Sequence, residues 1–77
     1  MKGYLYTPRG YSDKTVHSSF DSAVAHMLKD EGFKTLTAFI ESIEEDTIDY
    51  AIELTETSLY IDDGPYIDEV ELRLSNV

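Results

Sequence analysis

The sequence predicts an α+β fold in two layers, with one amphipathic helix laid on an antiparallel sheet of four to five strands in the order β-α-β-β-β-β. Three observations carry that class. Phe20, Ala23, Val24, Met27 and Leu28 recur at helical spacing. Ile48, Tyr50, Ile52 and Leu54 alternate with Asp49, Ala51, Glu53 and Thr55, as half-buried strands do. Val70, Leu72 and Leu74 alternate likewise with Glu69, Glu71 and Arg73, after a turn sequence, Asp62-Asp63-Gly64-Pro65.

Taken in order, the first strand is expected at Gly3-Tyr4-Leu5-Tyr6-Thr7. These are strand formers, halted by Pro8, which has no N–H for a ladder and disfavours helix just before it. From Pro8 to Thr15 no apolar period appears, so this reads as a loop carrying Tyr11 as an exposed aromatic. Ser18 or Ser19 caps the helix, placed at about residues 19 to 31, with Gly32 at the left-handed C-cap and Phe33 folding back on the last turn. His26 falls on the polar face of this helix and reads as solvated. Residues 33–43 fit two templates. Phe33, Leu36, Ile40 and Ile43 suit a helix, whereas Thr35-Leu36-Thr37-Ala38-Phe39-Ile40 is strand-like in residue type. The strand reading is preferred, because Glu44-Glu45-Asp46 then turns into the alternating segment that follows and one hairpin explains both halves. A further strand, Ser58 to Asp62, leads into the turn at 62–65 and closes a meander.

Seventy-seven residues are enough for one domain, and 42% hydrophobic with 29% charged residues is a globular composition. No run approaches the ~20 apolar residues of a membrane helix, and Met1-Lys2-Gly3-Tyr4 leads into no apolar stretch of a secretory signal. A soluble, cytoplasmic protein is therefore expected. Without cysteine there is no disulfide framework or thiolate nucleophile, and two histidines do not complete a usual four-ligand zinc site. No metal or cofactor is expected. A core this small, with no covalent staple, points to a homodimer.

The strongest signal is charge. Sixteen acids against six bases give a formal net charge of −10, and the excess is one-sided. Through Ile40, Asp13, Asp21, Asp30 and Glu31 meet Lys2, Arg9, Lys14, Lys29 and Lys34. From Glu41 onward stand Glu41, Glu44, Glu45, Asp46, Asp49, Glu53, Glu56, Asp62, Asp63, Asp68, Glu69 and Glu71 against Arg73 alone. Alternation directs Asp49, Glu53, Glu69 and Glu71 away from the apolar rows of their strands, which predicts an anionic outer sheet surface. Like charges across a sheet destabilise it, so folding alone would favour interspersed lysines. That cost points to a use: carboxylates standing in for phosphates before a basic nucleic-acid-binding protein. The residues expected to make that contact are Glu44, Glu45, Asp46, Asp49, Glu53, Asp62, Asp63, Asp68, Glu69 and Glu71. Tyr11, Tyr60 and Tyr66 are candidate interface aromatics beside them.

In size, acidity and the run Glu41-Ser-Ile-Glu-Glu-Asp-Thr-Ile-Asp49, the chain resembles the small acidic DNA-mimic proteins of bacteriophages, including those directed at the histone-like nucleoid protein HU. The resemblance carries no shared motif and assigns no role residue by residue. It implies a dimeric, non-enzymatic inhibitor that occupies the DNA-binding surface of an HU-like host protein in the cytoplasm or nucleoid. The near-neutral first part departs from mimics acidic throughout, so the mimicking surface should be one-sided. An anti-restriction or anti-CRISPR inhibitor of a nuclease complex shares the same physics. A structural or adaptor protein, whose acids only confer solubility and whose contacts are apolar, is the reading from a different class.

Enzymatic readings are weaker. His17, Ser18 and Ser19 offer a nucleophile and base, but sequence neighbours seldom meet triad geometry and the serines suit a helix cap. The many carboxylates are expected on an open face, without the burial that raises a general acid's pKa. Neither Asp62-Asp63-Gly64 nor Glu44-Glu45-Asp46 with Asp49 matches a calcium loop. Direct nucleic-acid binding is opposed by the charge balance.

Overall fold

The computed structural model describes residues 1–11, 13–46 and 52–72, and its α+β class is the one expected. The elements are β1 (Lys2–Thr7), β2 (Thr15–His17), α1 (Phe20–Glu31), α2 (Leu36–Asp46), β3 (Ile52–Leu54), β4 (Leu59–Ile61) and β5 (Tyr66–Glu71). The strands form one antiparallel sheet ordered β2-β1-β5-β4-β3.

Helix α1 begins and ends where its caps dictate. The Ser19 hydroxyl accepts the Ser22 N–H at 3.1 Å. At the other end the Gly32 and Phe33 N–H groups donate to the Leu28 carbonyl at 2.8 and 2.9 Å. Gly32 sits at φ +82°, a conformation in which a β-carbon is strained.

Residues 36–46 are helix, which corrects the strand expected over 33–43 and the turn expected at Glu44-Glu45-Asp46. Thr35 decides it. Its hydroxyl accepts the Ala38 N–H at 3.1 Å and its carbonyl accepts the Phe39 N–H at 3.2 Å, so it caps a new helix immediately after Gly32 ends the previous one. Leu36, Phe39, Ile40 and Ile43 then share one stripe, and Phe39 is fully buried. A second correction is β2, a strand paired with β1 that was not expected, the loop having been read as far as Thr15. The expected strand over residues 48–55 is present as Ile52–Leu54, and the part before Ile52 lies outside the described residues.

The core comprises Tyr6, Ala23, Met27, Leu28, Phe39, Leu59, Ile61 and Ile67. Tyr4 and Tyr6 meet Phe20 and His26 of α1, so the helical layer covers the sheet face that carries them. Residues directly opposite on antiparallel strands share a face. Ile67 opposite Tyr6, Leu59 opposite Ile67, and Ile52 opposite Ile61 therefore line the covered side.

The other face carries Gly3, Leu5, Thr7, Val16, Glu53, Tyr60, Tyr66, Asp68 and Val70, of which Gly3 and Thr7 are buried, and no described helix lies over it. At one end Leu72 and Val16 fold across Gly3. A β-carbon at Gly3 would come within 2.7 Å of Leu72 Cδ1 and 3.1 Å of Val16 Cγ1, which explains the missing side chain in mid-strand.

Candidate interaction surface

The register corrects the expected direction of two acids. Glu69 lies opposite Tyr4 and Glu71 opposite Lys2, so both belong to the helix-covered face, while Val70 belongs to the open one. The alternation was real, but only pairing with β1 shows which set faces the helices. Both acids are answered locally. Lys2 Nζ donates to Glu69 Oε1 at 2.9 Å, and the terminal amine of Met1 lies 3.2 Å from Glu71 Oε1. Glu69 holds the Lys2 ammonium pKa above its ordinary value by its hydrogen bond and charge.

Two further acids are also engaged. Arg9 Nη2 lies 3.0 Å from Glu31 Oε1, and Asp30 Oδ2 accepts the Tyr6 hydroxyl at 2.9 Å. Burial, then that hydrogen bond, raises the Tyr6 phenol.

What remains is a set of exposed carboxylates: Asp13, Asp21 and Asp63, with Glu41, Glu44, Glu45, Glu53, Glu56, Asp62 and Asp68. None of them forms an ion pair among the described residues. Glu44, Glu45 and Asp46 occupy the last turn of α2, where no basic residue stands. Unpaired carbonyls already make that end negative, so each acid there costs about 0.3–1 kcal/mol at low ionic strength. Asp62 and Asp63 form the β4–β5 turn, closed by the Gly64 N–H donating to the Ile61 carbonyl at 2.9 Å, with Asp63 at φ +57°. Glu53 and Asp68 stand on the open sheet face. Asp49 lies outside the described residues.

The structure unites the three tyrosines singled out from the sequence. The Tyr60 and Tyr66 rings are 6.0 Å apart, and Tyr11 lies 6.0 Å from Tyr66. The row ends at Glu53, directly opposite Tyr60. Tyr11 and Tyr60 remain 57% and 45% exposed, too much for core residues. Tyr11 is held at φ +58°, an uncommon conformation for a bulky side chain, in the β1–β2 connection. Strained backbone of this kind collects at functional sites. Acids rim the row: Asp62 first, then partial burial, then Tyr11, Asp63 and Glu53 raise the Tyr60 phenol above its ordinary value.

A spectrophotometric titration should therefore show Tyr60 ionising above the usual tyrosine range, and Asp62→Asn should lower its midpoint. An unchanged midpoint would remove Asp62 from the rim. Because the folded-state value is raised, this contribution to stability is complete below about pH 10 and is lost as pH climbs through the folded value.

No protein family, curated protein or solved structure matches the chain. No described helix is long and apolar enough to cross a membrane.

One cluster escaped the sequence reading. His26, expected to be solvated, instead packs against the Tyr6 ring at 5.0 Å and meets His17, their facing nitrogens 3.1 Å apart. Nine residues separate the two in sequence, and only the docking of α1 on β2 brings them together.

Proposed function

We propose that this chain is a non-enzymatic binding protein that uses its uncompensated carboxylates to occupy the phosphate-binding surface of a basic nucleic-acid-binding protein, of which HU is the type. The observation that carries this reading is the sorting of charge. Lys2, Arg9 and the terminal amine answer Glu69, Glu31 and Glu71, whereas Glu41, Glu44, Glu45, Glu53, Glu56, Asp62 and Asp68 have no described counter-ion. The acids crowd the negative end of α2, where folding alone would favour lysine.

Density sets the form of the mimicry. Glu41 and Glu45, one turn apart, stand about 6 Å apart along the helix axis, against about 3.4 Å of axis per phosphate on one DNA strand. A single patch is too sparse, so the helix end, the β4–β5 turn and the open face act together. A homodimer would double the set. The tyrosine row complements the acids, because arginine guanidinium groups stack on aromatic faces as well as pairing with carboxylates.

Binding to HU should weaken steeply between about 50 and 200 mM salt and be displaced by duplex DNA, as for a contact made by many charges. Anisotropy titration checks this. Salt-independent binding, or binding unaffected by DNA, would contradict the phosphate-mimic mode.

A second reading is favoured by the apolar end of the open face, where Val16 is 51% exposed beside Leu5, Val70 and Leu72. There the chain is an adaptor docking through that patch, and a Val16→Ser exchange would matter more than any charge reversal.

A further inference from the structure

Thr15, His17 and His26 bring three polar atoms to one point. Thr15 Oγ1 lies 2.9 Å from His17 Nε2 and 3.3 Å from His26 Nδ1, and the two ring nitrogens are 3.1 Å apart. Two ligand atoms at about 2.0–2.1 Å from a tetrahedral ion stand about 3.3 Å from each other, close to all three edges of this triangle. The rings converge as well, with centroids 5.1 Å apart and planes at 72°.

The outward nitrogens are oriented as ligand histidines require. His17 Nδ1 lies 3.3 Å from Ser22 Oγ, and His26 Nε2 faces Asp30 Oδ2 at 3.6 Å. A bound cation would select the tautomers with a proton on each outward nitrogen and a lone pair on each inward one, and a carboxylate behind a histidine is the usual support for a metal-bound imidazole. Asp30 is itself fixed by the Tyr6 hydroxyl at 2.9 Å. The His26 side chain is 35% exposed and the three converging atoms are part-buried.

We propose that His17 Nε2, His26 Nδ1 and Thr15 Oγ1 bind a borderline divalent first-row cation, zinc in particular, with water completing a tetrahedral shell. No group of three His, Cys, Asp or Glu among the described residues is arranged to hold a metal; here the third donor is a hydroxyl. Two imidazoles and a neutral oxygen suit zinc or copper rather than calcium or magnesium, which prefer carboxylate oxygen. The site ties β2 to α1 and stands independent of the acidic surface.

The test is calorimetric titration of the tag-free chain with Zn²⁺, with Co²⁺ as the spectroscopic probe. The expected result is one saturable site, intense visible bands of four-coordinate cobalt, and at least tenfold weaker binding in both His17→Ala and His26→Ala. If an alanine variant fails to fold, His17→Gln and His26→Gln serve in its place. Nitrogen-15 NMR adds a readout that packing alone would not move: zinc should shift His17 Nε2 and His26 Nδ1 while the outward nitrogens keep their protons. Absence of saturable zinc binding, or unchanged affinity in both histidine variants, overturns the proposal. The latter result would place the ions on the carboxylates.

Discussion

Replacing Glu41, Glu44 and Glu45 together by lysine is expected to raise the melting temperature and, at the same time, weaken the hold on a basic partner at least a hundredfold. The two effects come from the same charges. Glu44 and Glu45 lie in the last turn of α2, against the negative end of the helix, with no base among them. Glu41 is three and four residues before them, on the same helix surface, where like charges repel by a few tenths of a kcal/mol per pair. Three lysines repel one another as the three acids do, so the gain comes from the helix end alone, where reversing Glu44 and Glu45 should stabilise the fold by about 1–2 kcal/mol, for a domain of this size a rise of roughly 5–15 °C. Binding should move the other way, because each lysine replaces an attraction by a repulsion at the partner's basic surface. Scanning calorimetry and anisotropy on the same samples read both quantities. If the acids served only solubility, stability would still rise and binding would be unchanged.

The second large effect is in the core. Phe39→Ala should cost about 3–5 kcal/mol, because Phe39 is 1% exposed and packs its ring 5.3 Å from that of Phe33. Against a total stability on the order of 5–15 kcal/mol, that is a large share of what holds the chain folded. Ile40→Ala should cost less than half as much, since Ile40 is only partly buried. The comparison separates helix from strand over this segment. On a strand, Leu36 and Ile40 would share the buried side and Phe39 would face away, so Ile40→Ala would be the worse of the two. Urea denaturation of both variants decides it.

The contrast between α1 and α2 shows what could be read from the chain. Every signal in α1 is local: Ser19 before the apolar period, and Gly32 and Phe33 after it. In α2 the strand-like types of Thr35 to Ile40, and the hairpin they would complete with the alternating segment that follows, outweighed the period of Phe33, Leu36, Ile40 and Ile43, and the decisive feature, Thr35 as a cap, went unused. The turn at 62–65 was legible because Gly64 and Pro65 fix it locally. The faces of Glu69 and Glu71 were not, since they depend on pairing with Tyr4 and Lys2, more than sixty residues away. The same holds for the site. Excess acidity after Glu41 and the three tyrosines were visible in composition, but which acids keep local partners is set by register with β1. The convergence of His17 and His26 leaves no trace in spacing, because it arises from packing a strand against a helix.

The central claim is that the uncompensated carboxylates hold a protein built to bind phosphates. Its most direct test is capture from nuclease-treated bacterial lysate on the immobilised chain, run beside the Glu41→Lys/Glu44→Lys/Glu45→Lys variant and eluted with duplex DNA. The account predicts that a basic DNA-binding protein is retained by the natural chain, released by DNA, and lost on the variant. Equal retention on both columns, or a retained protein that DNA does not displace, would contradict it.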